Sequence, residues 1–232
     1  MLSDDFLTPT ADGTAARRFE PRYRVTMAHR AARSLLAAPA PVLDRIIGAP
    51  PTVLDGRVLD RRVQALLAIG ERLMPGDGSR SLDPDQRRRE MDRMATTGMP
   101  SRQGLHVSER RIPGPESTLA VRVYRPFGLE PDPPALLYIH GGGWVVGSLD
   151  AYDGTCRLVA AEARCVVVSV DYRLAPEHPF PAPLDDSLAA YRWVRTHARE
   201  LGIDGRRVGV MGDSAGGNLA AVLARVTLDD PV

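Results

Sequence analysis

Two short glycine-rich segments hold the residues whose types and spacing could do chemistry. Gly212-Asp213-Ser214-Ala215-Gly216 directly follows a short apolar run, Val208–Met211, and opens a helical stretch from Ala215 to about Arg225. Between a strand and a helix, a Gly-x-Ser-x-Gly pentapeptide becomes a nucleophile elbow, a strained turn whose backbone segments approach too closely for side chains and so need glycine. The turn lifts the Ser214 hydroxyl off the sheet, where a substrate carbonyl can reach it. The start of the following helix points amide N–H groups at any anion that forms there. On the pentapeptide alone, a glycine-rich turn with an incidental serine is the alternative.

The second segment is His140-Gly141-Gly142-Gly143-Trp144, at the C-terminal end of the apolar run Ala135–Ile139. Consecutive glycines let the backbone turn its N–H groups into a cavity, which is what stabilising the oxyanion of a tetrahedral acyl-transfer intermediate requires. Gly141, Gly143 and Gly147 imitate part of a dinucleotide fingerprint, but no Gly-x-Gly-x-x-Gly forms, so dinucleotide binding is set aside.

The elements that position these segments read as follows. Val107–Ile112 and Leu119–Tyr124 alternate with period two around Pro113-Gly114-Pro115 and predict an antiparallel hairpin. Ala135–Ile139, Val166–Val170 and Val208–Met211 are short, evenly apolar runs and predict buried strands. Helices separate them, the first capped by Ser148 and the second running from Leu184 to Leu201 before Gly202 stops it. Strand, helix, strand, helix, strand implies a parallel sheet of an α/β fold. From about residue 20 to 97 the pattern is helical and is cut by Pro39, Pro41, Pro50 and Pro51. Leu59, Val63, Leu66, Leu67 and Leu73 share one face there, and Asp83-Pro84 starts a further helix. The expected division is a helical N-terminal extension over 1–97 and a catalytic portion over 98–232.

These two motifs, with Asp171-Tyr172-Arg173-Leu174-Ala175-Pro176-Glu177-His178-Pro179-Phe180-Pro181-Ala182 between them, resemble the hormone-sensitive-lipase-like branch of the α/β-hydrolases. The resemblance covers about residues 100–226, and the preceding helices are similar in position to the N-terminal part of that family's cap. It implies an α/β-hydrolase fold and a carboxylesterase acting on a small-molecule ester, with no metal or organic cofactor. Ser214 would be the nucleophile, and the amides of Gly141, Gly142 and Ala215 the oxyanion hole. Gly143, Gly212 and Gly216 support the two motifs. His140 would hold its loop by hydrogen bonds, and Asp213, at the variable position of the elbow, is given no proton-transfer role. His178 is read as architectural, and His29, His106 and His197 as ordinary surface or helix-end residues. Trp144 could line an acyl pocket or simply pack.

In that fold the triad runs Ser, then Asp or Glu, then His, yet no histidine follows Ser214, and the only downstream acids are Asp229 and Asp230. The resemblance implies eight strands where five are legible. The expectation is therefore a partial fold, a fragment ending after the nucleophile elbow. A non-catalytic small-molecule binder of the same fold is the alternative function.

Composition narrows the remaining classes. The chain has 232 residues, 44% of them hydrophobic and 25% charged, with a formal net charge of +1, which places it with globular proteins. All 30 basic residues are Arg, and the lack of lysine excludes a P-loop, a pyridoxal Schiff base and a Ser-x-x-Lys acyl-enzyme. Residues 1–100 carry 16 Arg against 13 acids, so no basic half invites nucleic acid. Cys156 and Cys165 are too few for a disulfide framework and read as buried thiols. The acidic start, the absence of any long apolar run, and an Arg17-Arg18-Phe19 with no apolar segment behind it imply a cytoplasmic protein with no membrane span.

Overall fold

The computed structural model describes Arg17–Arg18, Ser34 and residues 37–73, 83–98, 104–228 and 230. His29, Asp229, most of residues 19–36 and residues 99–103 lie outside the described residues. In chain order the elements are β1 (Arg17–Arg18), α1 (Ala40–Ile47), β2 (Val53–Leu54), β3 (Arg57–Val58), α2 (Arg61–Leu73), α3 (Pro84–Gly98), β4 (Leu105–Pro113), β5 (Thr118–Pro126), β6 (Ala135–Ile139), α4 (Asp153–Ala163), β7 (Val166–Asp171), α5 (Ala182–Thr196), α6 (Ala198–Leu201), β8 (Val208–Gly212) and α7 (Ser214–Val226). They fall into two compact units, one of residues 24–87 and one of residues 88–232 together with the Arg17–Arg18 segment.

In the larger unit, one sheet runs β1-β4-β5-β7-β6-β8. β4 and β5 form the expected antiparallel hairpin, paired from Leu105↔Pro126 to Pro113↔Thr118. β6 lies parallel to both β7 and β8, with Ile139 opposite Val170 on one side and Gly212 on the other. The five strands expected are all present. β1 is an addition, with Arg17 opposite Glu109 and Arg18 opposite Ser108; a two-residue strand has no periodicity to read, and pairing alone creates it. One face of the sheet packs Val121, Val168, Ile139 and Leu137 against Ala190, Val194 and Leu223 of α5 and α7. The other packs Tyr124, Tyr138 and Val167 against Cys156 and Ala160 of α4. Both cysteines are free and buried.

Local chemistry corrects several helix boundaries. Ser148 does not cap α4 itself. Its Oγ accepts the Ala151 N–H (3.0 Å) and donates to Asp92 (2.6 Å), closing a turn ahead of the helix. The helix expected from Leu184 to Leu201 breaks at His197, whose ring stacks on Trp193 and bonds the Trp193 carbonyl. Gly202, left-handed at φ 60°, stops α6 as expected.

In the smaller unit the region expected to be helical also holds a two-stranded ribbon, Val53 opposite Val58. Asp55 and Gly56, with φ 49° and 75°, make its turn, the Asp-Gly signal that favours a tight hairpin. The apolar face expected on α2 is not the buried one. Val63, Leu66 and Leu67 are exposed, while Gln64 and Ala65 are buried. Ala65 packs on Leu43 and Ile47, and the Gln64 amide bonds Thr52 N and Pro50 O (3.2 and 2.9 Å), tying the ribbon's entry to the helix.

A buried ion cluster fixes the α4 side of the sheet. Arg122 on β5 reaches Glu109 (2.5 Å), Asp150 (2.6 Å) and Asp153 (3.2 Å), and Arg157 holds the other Asp153 oxygen at 2.6 Å. Asp153 is fully buried. Asp153→Ala leaves two buried guanidinium groups without their shared counter-ion, and breaking such a cluster by removing one partner costs about 3–5 kcal/mol. Urea denaturation is expected to show a midpoint lowered accordingly; an unchanged midpoint would mean that Glu109 and Asp150 suffice.

Candidate functional site

The site is built where β6 and β8 end side by side. Because Ile139 pairs with Gly212, the residues following each strand, His140–Gly141 and Asp213–Ser214, emerge as neighbours. β8 ends with Asp213 still extended (φ −117°, ψ 150°), and Ser214 then takes φ +49° as the first residue of α7. A positive φ at a non-glycine residue is strained, and here it falls on the serine of the pentapeptide. The flanking glycines are sterically required. A Cβ on Gly212 would lie 2.5 Å from both Ile139 O and Gly216 O, and one on Gly216 would overlap the Ile139 and His140 carbonyls. The Ser214 side chain is exposed, and no described residue hydrogen-bonds it.

The glycine segment forms a loop of unusual backbone. Gly142, Gly143, Trp144 and Gly147 have φ of 122°, 62°, 61° and 113°, and the Gly142 carbonyl accepts the N–H groups of Val145 and Val146 (3.2 and 3.0 Å). His140 is wholly buried. It stacks on Tyr172 (centroids 4.2 Å apart) and on Tyr152 (5.5 Å). Its Nδ1–H donates to the Gly141 carbonyl at 2.8 Å, and its own carbonyl accepts the Tyr172 hydroxyl at 2.8 Å. Burial lowers its pKa, and these contacts make the imidazole a brace for the loop. The Trp144 carbonyl accepts the Ala175 N–H (2.8 Å), joining this loop to the one after β7.

Gly141 departs from expectation. Its N–H donates to Asp213 Oδ1 at 3.1 Å, so it is withdrawn from the set of amides available to an oxyanion. The backbone N–H groups of Gly142, Gly143 and Ala215 have no acceptor among the described residues. Asp213 accepts two further hydrogen bonds, from the Tyr138 hydroxyl to Oδ1 and the Tyr152 hydroxyl to Oδ2, each 3.0 Å. Neither tyrosine is singled out by sequence reasoning. Tyr138 lies inside a buried strand, where an aromatic reads as core, and Tyr152 precedes a helix with no motif around it.

No hydrogen bond joins Ser214 to any of the other described histidines. His106 is exposed on β4, His197 sits in the break between α5 and α6, and His178 lines a different feature. That feature is a cavity of about 330 Å³ at the end of β7, bounded by Arg88, Arg111, Asp171, Arg173, Glu177 and His178. Arg88 pairs with Glu177 across it at 2.7 Å, and Ser214 is not part of its lining. Among the described residues no group of three or more His, Cys, Asp or Glu side chains could hold a metal ion, and no helix is long and apolar enough to cross a membrane.

A glycine-clamped serine elbow beside a glycine loop at adjacent strand ends is the layout expected above, and residues 136–231 match the family model of the alpha/beta hydrolase fold. The fold is that of the α/β-hydrolases. Among relatives of this chain, Esterase LipI of Mycobacterium tuberculosis (strain ATCC 25618 / H37Rv) is 44% identical over 169 residues, covering 72% of this chain and 51% of the relative. Carboxylic ester hydrolase LipN of the same organism is 38% identical over 215 residues, covering 92% and 57%. Among solved structures, the ester-hydrolase EH1AB1 from the metagenome of Lake Arreo, complexed with a derivative of bipyridine phosphonate, is 41% identical with a TM-score of 0.67, over 73% of this chain and 54% of that one. The chain spans about half the length of the curated relatives it matches.

Proposed function

We propose that this α/β-hydrolase chain carries the nucleophile and oxyanion-hole part of a carboxylic ester hydrolase. The observation that carries the reading is Ser214 held at φ +49° at the end of β8, in a fold whose Gly142, Gly143 and Ala215 amides have no acceptor among the described residues. The Ser214 hydroxyl attacks the ester carbonyl carbon, and the carbonyl oxygen takes up the negative charge. The N–H groups of Gly142 and Ala215, with that of Gly143 in the place expected for Gly141, donate to this oxyanion. Collapse of the tetrahedral intermediate breaks the carbon–oxygen bond to the alcohol, and water then hydrolyses the acyl-enzyme at the same centre. His140, Gly143, Gly212, Asp213 and Gly216 shape the site and exchange no protons.

A serine hydroxyl is a weak nucleophile unless a base removes its proton, and no described histidine reaches Ser214. The reading therefore calls for a histidine and an orienting acid beyond the residues described. The names of the relatives support ester substrates. The test supplies the chain with the histidine- and acid-bearing segment of a matched esterase and follows p-nitrophenyl butyrate hydrolysis. Turnover with an initial burst of p-nitrophenol, the mark of an acyl-enzyme, is expected. A folded hybrid that hydrolyses no p-nitrophenyl ester would overturn the proposal.

A further inference from the structure

The Asp213 carboxylate lies between the two halves of the site and belongs to neither in any obvious way. As the residue before α7 it could cap that helix, yet it makes no side-chain cap there. Instead it turns toward the end of β6 and accepts the Gly141 N–H (3.1 Å) and the Tyr138 hydroxyl (3.0 Å) on one oxygen and the Tyr152 hydroxyl (3.0 Å) on the other. The contact is close. A Cβ on Gly141 would collide with the carboxylate and would lie 2.9 Å from the Asp213 carbonyl, so the loop is built to admit this side chain. Its three donors come from β6, from the loop after β6 and from the residue ahead of α4, while Asp213 itself is covalently joined to Ser214.

We propose that Asp213 is a positioning residue, which locks the glycine loop to the nucleophile elbow so that the Gly142 and Gly143 amides face the point where Ser214 forms its tetrahedral adduct. This deepens the ester-hydrolase reading and rests on it. The physical argument is one of alternatives. The Gly141 N–H has a carboxylate to satisfy it, so Gly141 is tied to the elbow, while the next two amides have no acceptor among the described residues. Without that acceptor the Gly141 N–H must find another partner, and a run of glycines offers little steric resistance to the loop rotating as it does so. An ionised carboxylate suits the task because it only accepts, leaving no proton to compete for the same donors. The two tyrosine hydroxyls share its charge and hold both oxygens in one orientation.

The test uses the hybrid described above, the chain supplied with the histidine- and acid-bearing segment of a matched esterase, and phenylboronic acid, which forms a tetrahedral adduct with an activated serine at equilibrium and needs no turnover. Boron-11 NMR reports the adduct, and Ser214→Ala identifies it. Asp213→Ala is expected to weaken the Ser214-dependent adduct by about tenfold or more, and to make Gly141 amide hydrogen exchange at least tenfold faster. Amides in the β4–β5 hairpin should be unaffected. Asp213→Asn, which keeps an acceptor for Gly141 but loses one for the tyrosines, is expected to recover part of the affinity. Asp213→Leu, which fills about the same space without an acceptor, should recover nothing, whereas a role in packing alone would be rescued by it. Tyr152→Phe, which leaves the elbow intact, should weaken the adduct by a smaller factor. Wild-type affinity in Asp213→Ala, or no recovery in Asp213→Asn, would overturn the positioning role. A folded hybrid with Asp213 intact that forms no Ser214-dependent adduct would overturn the hydrolase reading beneath it, and the two failures are thereby told apart.

Discussion

Ser214→Ala is expected to reduce kcat for p-nitrophenyl esters by about 10⁴–10⁶-fold in the chain supplied with the base-bearing segment of a matched esterase, the range found when a member of a catalytic triad is removed. The magnitude follows from the geometry. Ser214 is the exposed residue at the tip of the elbow, it bears the strained φ of +49°, and no other described nucleophile shares its position. The cysteines are buried on the α4 side of the sheet. KM should move little, because the hydroxyl contributes to bond formation far more than to ground-state binding. The same reasoning fixes the behaviour of residues 1–232 taken alone. With no described histidine on Ser214, they should show no multiple-turnover esterase activity above that of their own Ser214→Ala variant, a comparison that cancels contaminating host esterases. Turnover unchanged by the substitution would remove Ser214 from the mechanism, and Ser214-dependent turnover near 1 s⁻¹, within the ordinary enzyme range, would require a base among the residues present.

Gly142→Val should lower kcat by about 10²–10³-fold, the usual cost of losing one oxyanion donor, with a much smaller change in KM. Gly142 adopts φ 122°, which a β-branched residue cannot reach without strain, and its Cβ would collide with the Val146 carbonyl and lie 3.0 Å from the Val146 side chain. The loop must therefore rotate, and rotation withdraws the N–H. Gly128→Ala provides the control, since that glycine also has a positive φ (67°) but open space around its missing Cβ and no place in the site. It should cost some stability and leave kcat alone. A Gly142→Val enzyme with normal kcat and raised KM would show that the glycine loop binds the ester without stabilising the transition state.

Much of this protein is set by short-range chemistry and is legible in one dimension. The five long strands follow from period-two alternation and short apolar runs, the start of α3 from Asp83-Pro84, and the stop of α6 from Gly202. The elbow is legible because close backbone approach tolerates only glycine at 212 and 216, a rule that holds wherever the rest of the chain goes. Other departures from expectation involve partners distant in sequence. α2 offers Val63, Leu66 and Leu67 as an apolar face, but Ala65 meets Leu43 and Ile47, and periodicity does not say which face a neighbour covers. β1 exists only because Glu109 and Ser108 pair with it. The division of the glycine amides is the functional instance. A run of glycines announces that N–H groups can be presented, but which of them stays unpaired depends on what acceptor lies within hydrogen-bond reach. That acceptor, Asp213, is 72 residues from Gly141, brought there by the parallel pairing of Ile139 with Gly212. The two glycine-bearing motifs were thus determined by residue type and spacing. The choice of Gly141 as anchor and of Gly142 and Gly143 as open donors was decided by tertiary structure, because a hydrogen bond is allotted by distance in space.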